Sequence, residues 1–137
     1  MRNCTTHLGM AMLICAALGL SGAGCQTSKP GVTDTVGRID AVIEAPPPRV
    51  TQAATNVLEN DYHFKLLSTA YTTIDGRVEA ESAQGTKVWV WVAKKDDNSS
   101  AVSMRVGLTG DEKLSLEMLD KIKARSKTLM DKLRETM

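Results

Sequence analysis

The chain has 137 residues, 42% of them apolar and 24% charged, and a formal net charge of +1. That length holds one domain. A balanced charge without long runs of one sign excludes a nucleic-acid footprint and rules out electrostatic attraction to anionic lipid as the main anchoring force.

Residues 1–24 read as a secretory leader. Arg2 supplies the positive n-region and residues 8–20 (LGMAMLICAALGL) the apolar h-region, and Ser21-Gly22-Ala23-Gly24 brings small residues to the cleavage site. The apolar run of 13 residues falls short of the roughly 20 that span a bilayer, so it makes a poor permanent anchor. Cys4 and Cys15 lie in the leader, and Cys25 is the cysteine that survives its removal. An exported domain with one cysteine forms no internal disulfide, and a lone thiol in an oxidising compartment is a liability that a covalent cap removes.

Ala23-Gly24-Cys25 resembles the lipobox of bacterial lipoproteins, with Gly22 where an aliphatic residue is more usual. The resemblance implies a diacylglyceryl thioether on Cys25 and an acylated amine, palmitate-type chains that hold the protein to a membrane. At ~0.8 kcal/mol per buried CH₂, several chains exceed what stable anchoring needs. Gln26 after the cysteine is similar to outer-membrane sorting in Gram-negative lipoproteins, which implies the periplasmic face of the outer membrane. Ordinary cleavage after Ala23 or Gly24 is the alternative, and it would leave a soluble protein with a free thiol.

Residues 25–36 mix Ser, Thr, Lys, Pro and Gly without periodicity and read as a lipidated flexible tether, leaving 37–137 as a single domain. Residues 38–45 alternate as a strand, with Ile39, Ala41 and Ile43 on one face. Pro46-Pro47-Pro48 ends it and can enter a helix, where a missing N–H costs nothing. Val50, Ala53, Ala54, Val57 and Leu58 then predict a short amphipathic helix over 49–60. Residues 63–69 (HFKLLST) suggest a weakly alternating strand.

The next two hairpins are solved by parity, because cross-strand partners share a face. A three-residue loop, Ala83-Gln84-Gly85, pairs Ala80 with Val88 and Val78 with Val90, and sets Gly85 at the left-handed position such loops favour. A five-residue loop over 95–99 pairs Val92 with Val102, Val90 with Met104 and Val88 with Val106. One face is then aliphatic, and the other carries Arg77, Glu79, Glu81, Lys87, Trp89, Trp91, Ser103 and Arg105. Such a sheet is antiparallel and covered on one side. Thr109-Gly110-Asp111-Glu112 matches a capping box with Thr109 as N-cap. From there to about residue 134 a stripe of Met118, Leu119, Ile122, Leu129 and Leu133 predicts a helix of roughly 35 Å, whose basic last turns overhang the sheet. The expected fold is α+β: an antiparallel sheet of about five strands in the order β-α-β-β-β-β-α, with two helices on its aliphatic face.

Residues 41–60, 75–92 and 104–125, together with the lipobox, resemble a family of short bacterial envelope lipoproteins known only as a domain of unknown function. The motifs that carry the resemblance are Asp75-Gly76-Arg77-Val78-Glu79-Ala80, Gln84-Gly85-Thr86-Lys87-Val88 and Arg105-Val106-Gly107-Leu108-Thr109-Gly110-Asp111-Glu112. The resemblance supports the element order and lipidation and supplies no catalytic residues; Trp89 and Trp91 depart from the more polar residues usual there.

No constellation in the chain frames a reaction. His63 has no partner at metal-ligand spacing, and Asp96-Asp97-Asn98 lacks the remainder of a calcium loop. The turn 107–111 lacks the lysine of a phosphate loop, and no serine stands in a nucleophile motif. The chain is therefore expected to be non-enzymatic, without metal, cofactor or nucleic-acid partner. Trp89 and Trp91, beside Arg77 and Arg105, are the candidate interaction patch, since exposed Trp beside Arg typifies binding hot spots. The same four residues could instead be structural, the arginines lying as cation–π lids on the rings. The expected role is a membrane-anchored accessory or assembly module docking an envelope protein; the alternative is a carrier holding a small apolar ligand or lipid between sheet and helices.

Overall fold

The computed structural model describes residues 31–35 and 37–137. Six strands, β1 (Val32–Thr35), β2 (Arg38–Ile43), β3 (Lys65–Tyr71), β4 (Asp75–Glu81), β5 (Lys87–Lys94) and β6 (Ser100–Val106), form one antiparallel sheet in the order β1-β2-β6-β5-β4-β3. Helices α1 (Pro47–Asn56) and α2 (Glu112–Thr136) pack on one face of it.

The register follows the parity of the aliphatic residues. β4 and β5 pair Ala80 with Val88, Val78 with Val90 and Glu81 with Lys87, closing through a loop in which Gly85 has φ +83°. β5 and β6 pair Val92 with Val102, Val90 with Met104 and Val88 with Val106. The aliphatic residues and Met104 of these pairs, with Ile39, Ala41 and Ile43 of β2, are all buried. Val50, Ala53, Ala54, Val57 and Leu58 meet them from the α1 side, and Met118, Leu119 and Ile122 from α2. A slip of one residue in any strand would turn this set to solvent, which is what holds the register.

The sheet has one strand more than expected. β1 lies inside the stretch read as tether and pairs with β2, Val32 opposite Ala41 and Thr35 opposite Arg38. Its β-branched Val-Thr-Asp-Thr run suits an edge strand, and Gly37 at φ +72° closes the turn into β2.

Helix α1 begins on the proline run, with Pro46 in extended backbone before it, and continues into a π-helical turn, Val57–Asp61. The Tyr62 N–H reaches back to the Val57 carbonyl at 3.2 Å. This wider turn keeps Val57 and Leu58 buried and swings Asp61 towards Arg125 of α2, 3.2 Å away.

The cap of α2 corrects the expected capping box. Asp111, not Thr109, is the N-cap, and its carboxylate accepts from the Leu114 N–H at 3.0 Å. The helix cannot start earlier because Gly110 has φ +77° and lies against Gly37, where a Cβ would stand 2.2 Å from the Gly37 carbonyl oxygen. At about 1.5 Å per residue α2 is longer than the sheet is deep, and beyond Ser126 none of its residues is buried.

Candidate interaction face

β5 is an interior strand, flanked by β6 and β4. Its alternation sends Val88, Val90 and Val92 into the core and Trp89 and Trp91 out of the opposite face, which both helices leave bare. The ladder sets Arg77 opposite Trp91 and Glu79 opposite Trp89 on one side, and Ser103 and Arg105 opposite the same two rings on the other. The four residues singled out in the sequence, Trp89, Trp91, Arg77 and Arg105, thus stand together on three adjacent strands. Trp91 is 36% exposed and Trp89 partly buried among its neighbours.

The polar groups of this face bind one another. Arg77 lies 3.8 Å from Glu79 and Arg38 lies 3.3 Å from Asp40, and the Ser103 hydroxyl donates to Asp40. Ion pairs this exposed contribute ~0–1 kcal/mol each. Arg105 Nη2 donates to the Leu108 carbonyl, and its Nε is buried without a partner. Neither tryptophan takes a cation–π contact among the described residues. That interaction occurs instead where Lys121 Nζ sits 4.4 Å from the Tyr62 ring centroid.

Beside Trp89 the face runs into a groove of about 510 Å³, walled by Thr86, Lys87, Trp89 and Leu108. Leu108 is 82% exposed, held out between Gly107 and Gly110, both at positive φ. Sequence reasoning treated this turn only as a helix start; an apolar residue between two turn glycines was the available signal.

The remaining candidate positions stand apart from this face. Cys25 lies outside the described residues. His63 is exposed at φ 54° in the turn before β3. Asp96 accepts from the Asn98 N–H and the Ser99 hydroxyl inside its own hairpin, and the Ser99 bond holds its carboxyl below the usual range. Among the described residues no three His, Cys, Asp or Glu side chains converge as metal ligands would.

One cluster is legible in the sequence only in part. The Tyr62 hydroxyl donates to Glu117 at 3.0 Å, Lys121 pairs with Glu117 at 3.4 Å, and Phe64 packs 5.8 Å from Tyr62. Burial, then the bond to Glu117, pushes the Tyr62 hydroxyl up, and the tyrosine bond, then Lys121, pulls the Glu117 carboxyl down. It clasps the end of the π turn to α2. Glu117 stands four residues before Lys121, a helical-pair spacing readable in the sequence; Tyr62 as their third member is not, because only the tertiary fold brings it there.

No curated protein matches the chain. A family model described as a protein of unknown function, DUF3568, matches residues 3–125, a span that takes in the apolar run 8–20, Cys25 and every element through the first half of α2. With nine-tenths of its length matched, the chain belongs to the DUF3568 family.

Proposed function

We propose that the protein is a lipid-anchored envelope module, held to a bacterial membrane through Cys25, that docks a partner protein on the bare face of its sheet. The observation that carries this reading is where the tryptophans stand. The core is built from Val, Ala, Leu, Ile and Met, while the two largest apolar side chains lie on the helix-free side beside the Arg77–Glu79 ion pair. Packing alone gives no reason to place them there; binding does, since Trp and Arg dominate interface energetics. The apolar leader and the cysteine after it support the anchoring half, and they lie within the stretch the family model matches.

The carrier alternative finds no supporting feature. The layer between sheet and helices is filled by fully buried side chains, and the grooves described here open at the periphery.

Two measurements test the reading. Intact-mass analysis of the natively produced chain is expected to show a polypeptide beginning at Cys25 and carrying acyl chains, and Cys25→Ser is expected to move the protein out of the membrane fraction. A photo-crosslinker at position 91 in living cells is expected to give one discrete adduct, lost on Trp89→Ala. An unmodified thiol overturns the anchor; absence of any adduct, or collapse of thermal stability in Trp89→Ala/Trp91→Ala, overturns the docking face.

A further inference from the structure

A second surface, on the other side of the sheet and at its edge, has a different character. The two edge strands differ: β1 has four residues and β3 seven. Native sheets blunt long edges with charge, proline or bulges, and here Lys65 and a register shift between Leu66 and Ser68 blunt only the first half of β3. The second half, Ser68-Thr69-Ala70-Tyr71, carries no such device. Tyr71 and Ile74 beside it are 60% and 62% exposed.

Backbone geometry says which groups this half-strand offers. The Thr72 N–H donates to the Asp75 carbonyl of β4 at 2.8 Å. In an antiparallel ladder hydrogen-bonded and non-bonded pairs alternate, so Thr72 and Ala70 direct their N–H and C=O groups at β4. Thr69 and Tyr71 direct theirs away from the sheet, where no described strand receives them. Their side chains, opposite buried Val78 and Gly76, lie on the helix side. There they form one wall of a groove of about 630 Å³ whose other wall is Pro48, Arg49, Gln52 and Thr55 of α1.

We infer that this groove takes an extended, acidic segment of a partner polypeptide as a seventh strand on β3. Unpaired backbone donors and acceptors at alternate residues call for another strand, and an antiparallel one would exchange as many as four backbone hydrogen bonds with Thr69 and Tyr71. Arg49 sets the charge. It is the one ionised group among the groove's lining residues, its guanidinium donates to the Gln52 side-chain oxygen at 3.3 Å, and no carboxylate among the described residues pairs with it. A carboxylate on the incoming strand supplies that partner. A second copy of the chain is the poorer occupant, because β3 carries no acid and a twofold pairing would bring two Arg49 residues to one interface. This site is independent of the tryptophan face and of the anchor.

The test pans random octapeptides displayed on phage against the purified full-length chain. The expected result is enrichment of peptides with Asp or Glu at a fixed position. A synthetic peptide of the enriched sequence should lose about tenfold or more in affinity on Arg49→Glu, the loss of one charge-assisted hydrogen bond, and keep its affinity on Trp89→Ala/Trp91→Ala. Thr69→Pro is the sharper variant: it deletes an outward N–H that β4 does not use, at a position where an edge strand tolerates proline, and it should abolish binding while leaving the melting curve in place. If Thr69→Pro does not fold, amide exchange at Thr69 and Tyr71 in the parent chain, slowed by the peptide, replaces it. No enrichment, binding indifferent to Arg49→Glu, unslowed exchange at those two amides, or a dimer that Thr69→Pro dissolves would each overturn the proposal.

Discussion

Gly76→Ala probes the point at which α1 touches the sheet. The backbone at Gly76 is ordinary strand, so the need is for space and not for a left-handed φ. A Cβ there would stand 1.9 Å from Thr51 Oγ1 and 3.1 Å from its Cβ, and Thr51 is fully buried with its hydroxyl donating to the Pro47 carbonyl at 2.8 Å. The threonine must rotate, or α1 must lift. Overpacking of this kind costs about 1–3 kcal/mol, and a broken Thr51–Pro47 bond adds about 1 kcal/mol. Replacing glycine in a strand returns ~0.5–1 kcal/mol. The net is a loss of roughly 2 kcal/mol, which for a domain of this size lowers Tm by about 8–16 °C. Thermal unfolding followed by circular dichroism measures it. Thr51→Ala removes the colliding oxygen, so the double variant should be more stable than the sum of the single effects by about 1 kcal/mol. A Tm within ~2 °C of the parent for Gly76→Ala, or strict additivity with Thr51→Ala, would show that the contact does not hold helix to sheet.

Three further expectations follow from the caps, the clasp and the face. Asp111→Ala should lower stability by about 1 kcal/mol, while Thr109→Ala should change it by a few tenths at most, measured by urea unfolding; the reverse order would restore Thr109 as the cap. Glu117 has its folded-state carboxyl pulled below the usual 4.5 by Tyr62 and then Lys121, so its stabilising effect is present above that value and disappears as pH falls through the lower, folded-state one. Tyr62→Phe should therefore flatten the acid limb of a Tm-against-pH curve, and an unchanged limb would remove the clasp from the account. Trp89→Ala/Trp91→Ala should leave the core in place and shift Tm by a few degrees only, with amide-exchange protection of the core strands retained.

What could be read from the sequence was local in a particular sense. The registers of β4–β5 and β5–β6 could be solved because Val78, Ala80, Val88, Val90, Val92, Val102, Met104 and Val106 alternate without a break, and only one loop length lays them on a shared face. The same alternation sets Trp89, Trp91, Arg77 and Arg105 on one face from the sequence alone. β1 was hidden because its four residues sit in a stretch whose Pro, Gly and Lys content reads as linker, and an edge strand of that length needs β2 beside it to exist. The cap was decided by a contact between Gly37 and Gly110, distant in sequence, so a local match at Thr109 lost to Asp111. The groove beside β3 was invisible for the same reason. It exists because α1 crosses the sheet at Gly76 and leaves Thr69 and Tyr71 uncovered, and no periodicity within α1 or β3 announces that.

The tryptophan face and the proposed anchor bear on each other energetically. A docking patch centred on two tryptophans, one still largely embedded between its neighbours, offers a small contact area, and small contacts between freely diffusing proteins are weak once the loss of translational and rotational freedom is counted. An acyl-bearing cysteine changes that condition without changing the contact. It confines the domain to the surface on which a membrane-associated partner already sits, and tethering of this kind raises the effective concentration of one site around the other to the order of millimolar. A weak face is then sufficient. Cys25 stands seven residues before Val32, the first residue of β1, and at ~3.3–3.6 Å per residue the intervening chain spans at most about 25 Å. That reach keeps the domain within roughly its own diameter of the bilayer. On this reading the partner must be a protein that presents its surface close to the membrane, and a Cys25→Ser variant with an intact tryptophan face should lose the crosslink at position 91 even though every residue that touches the partner is still there.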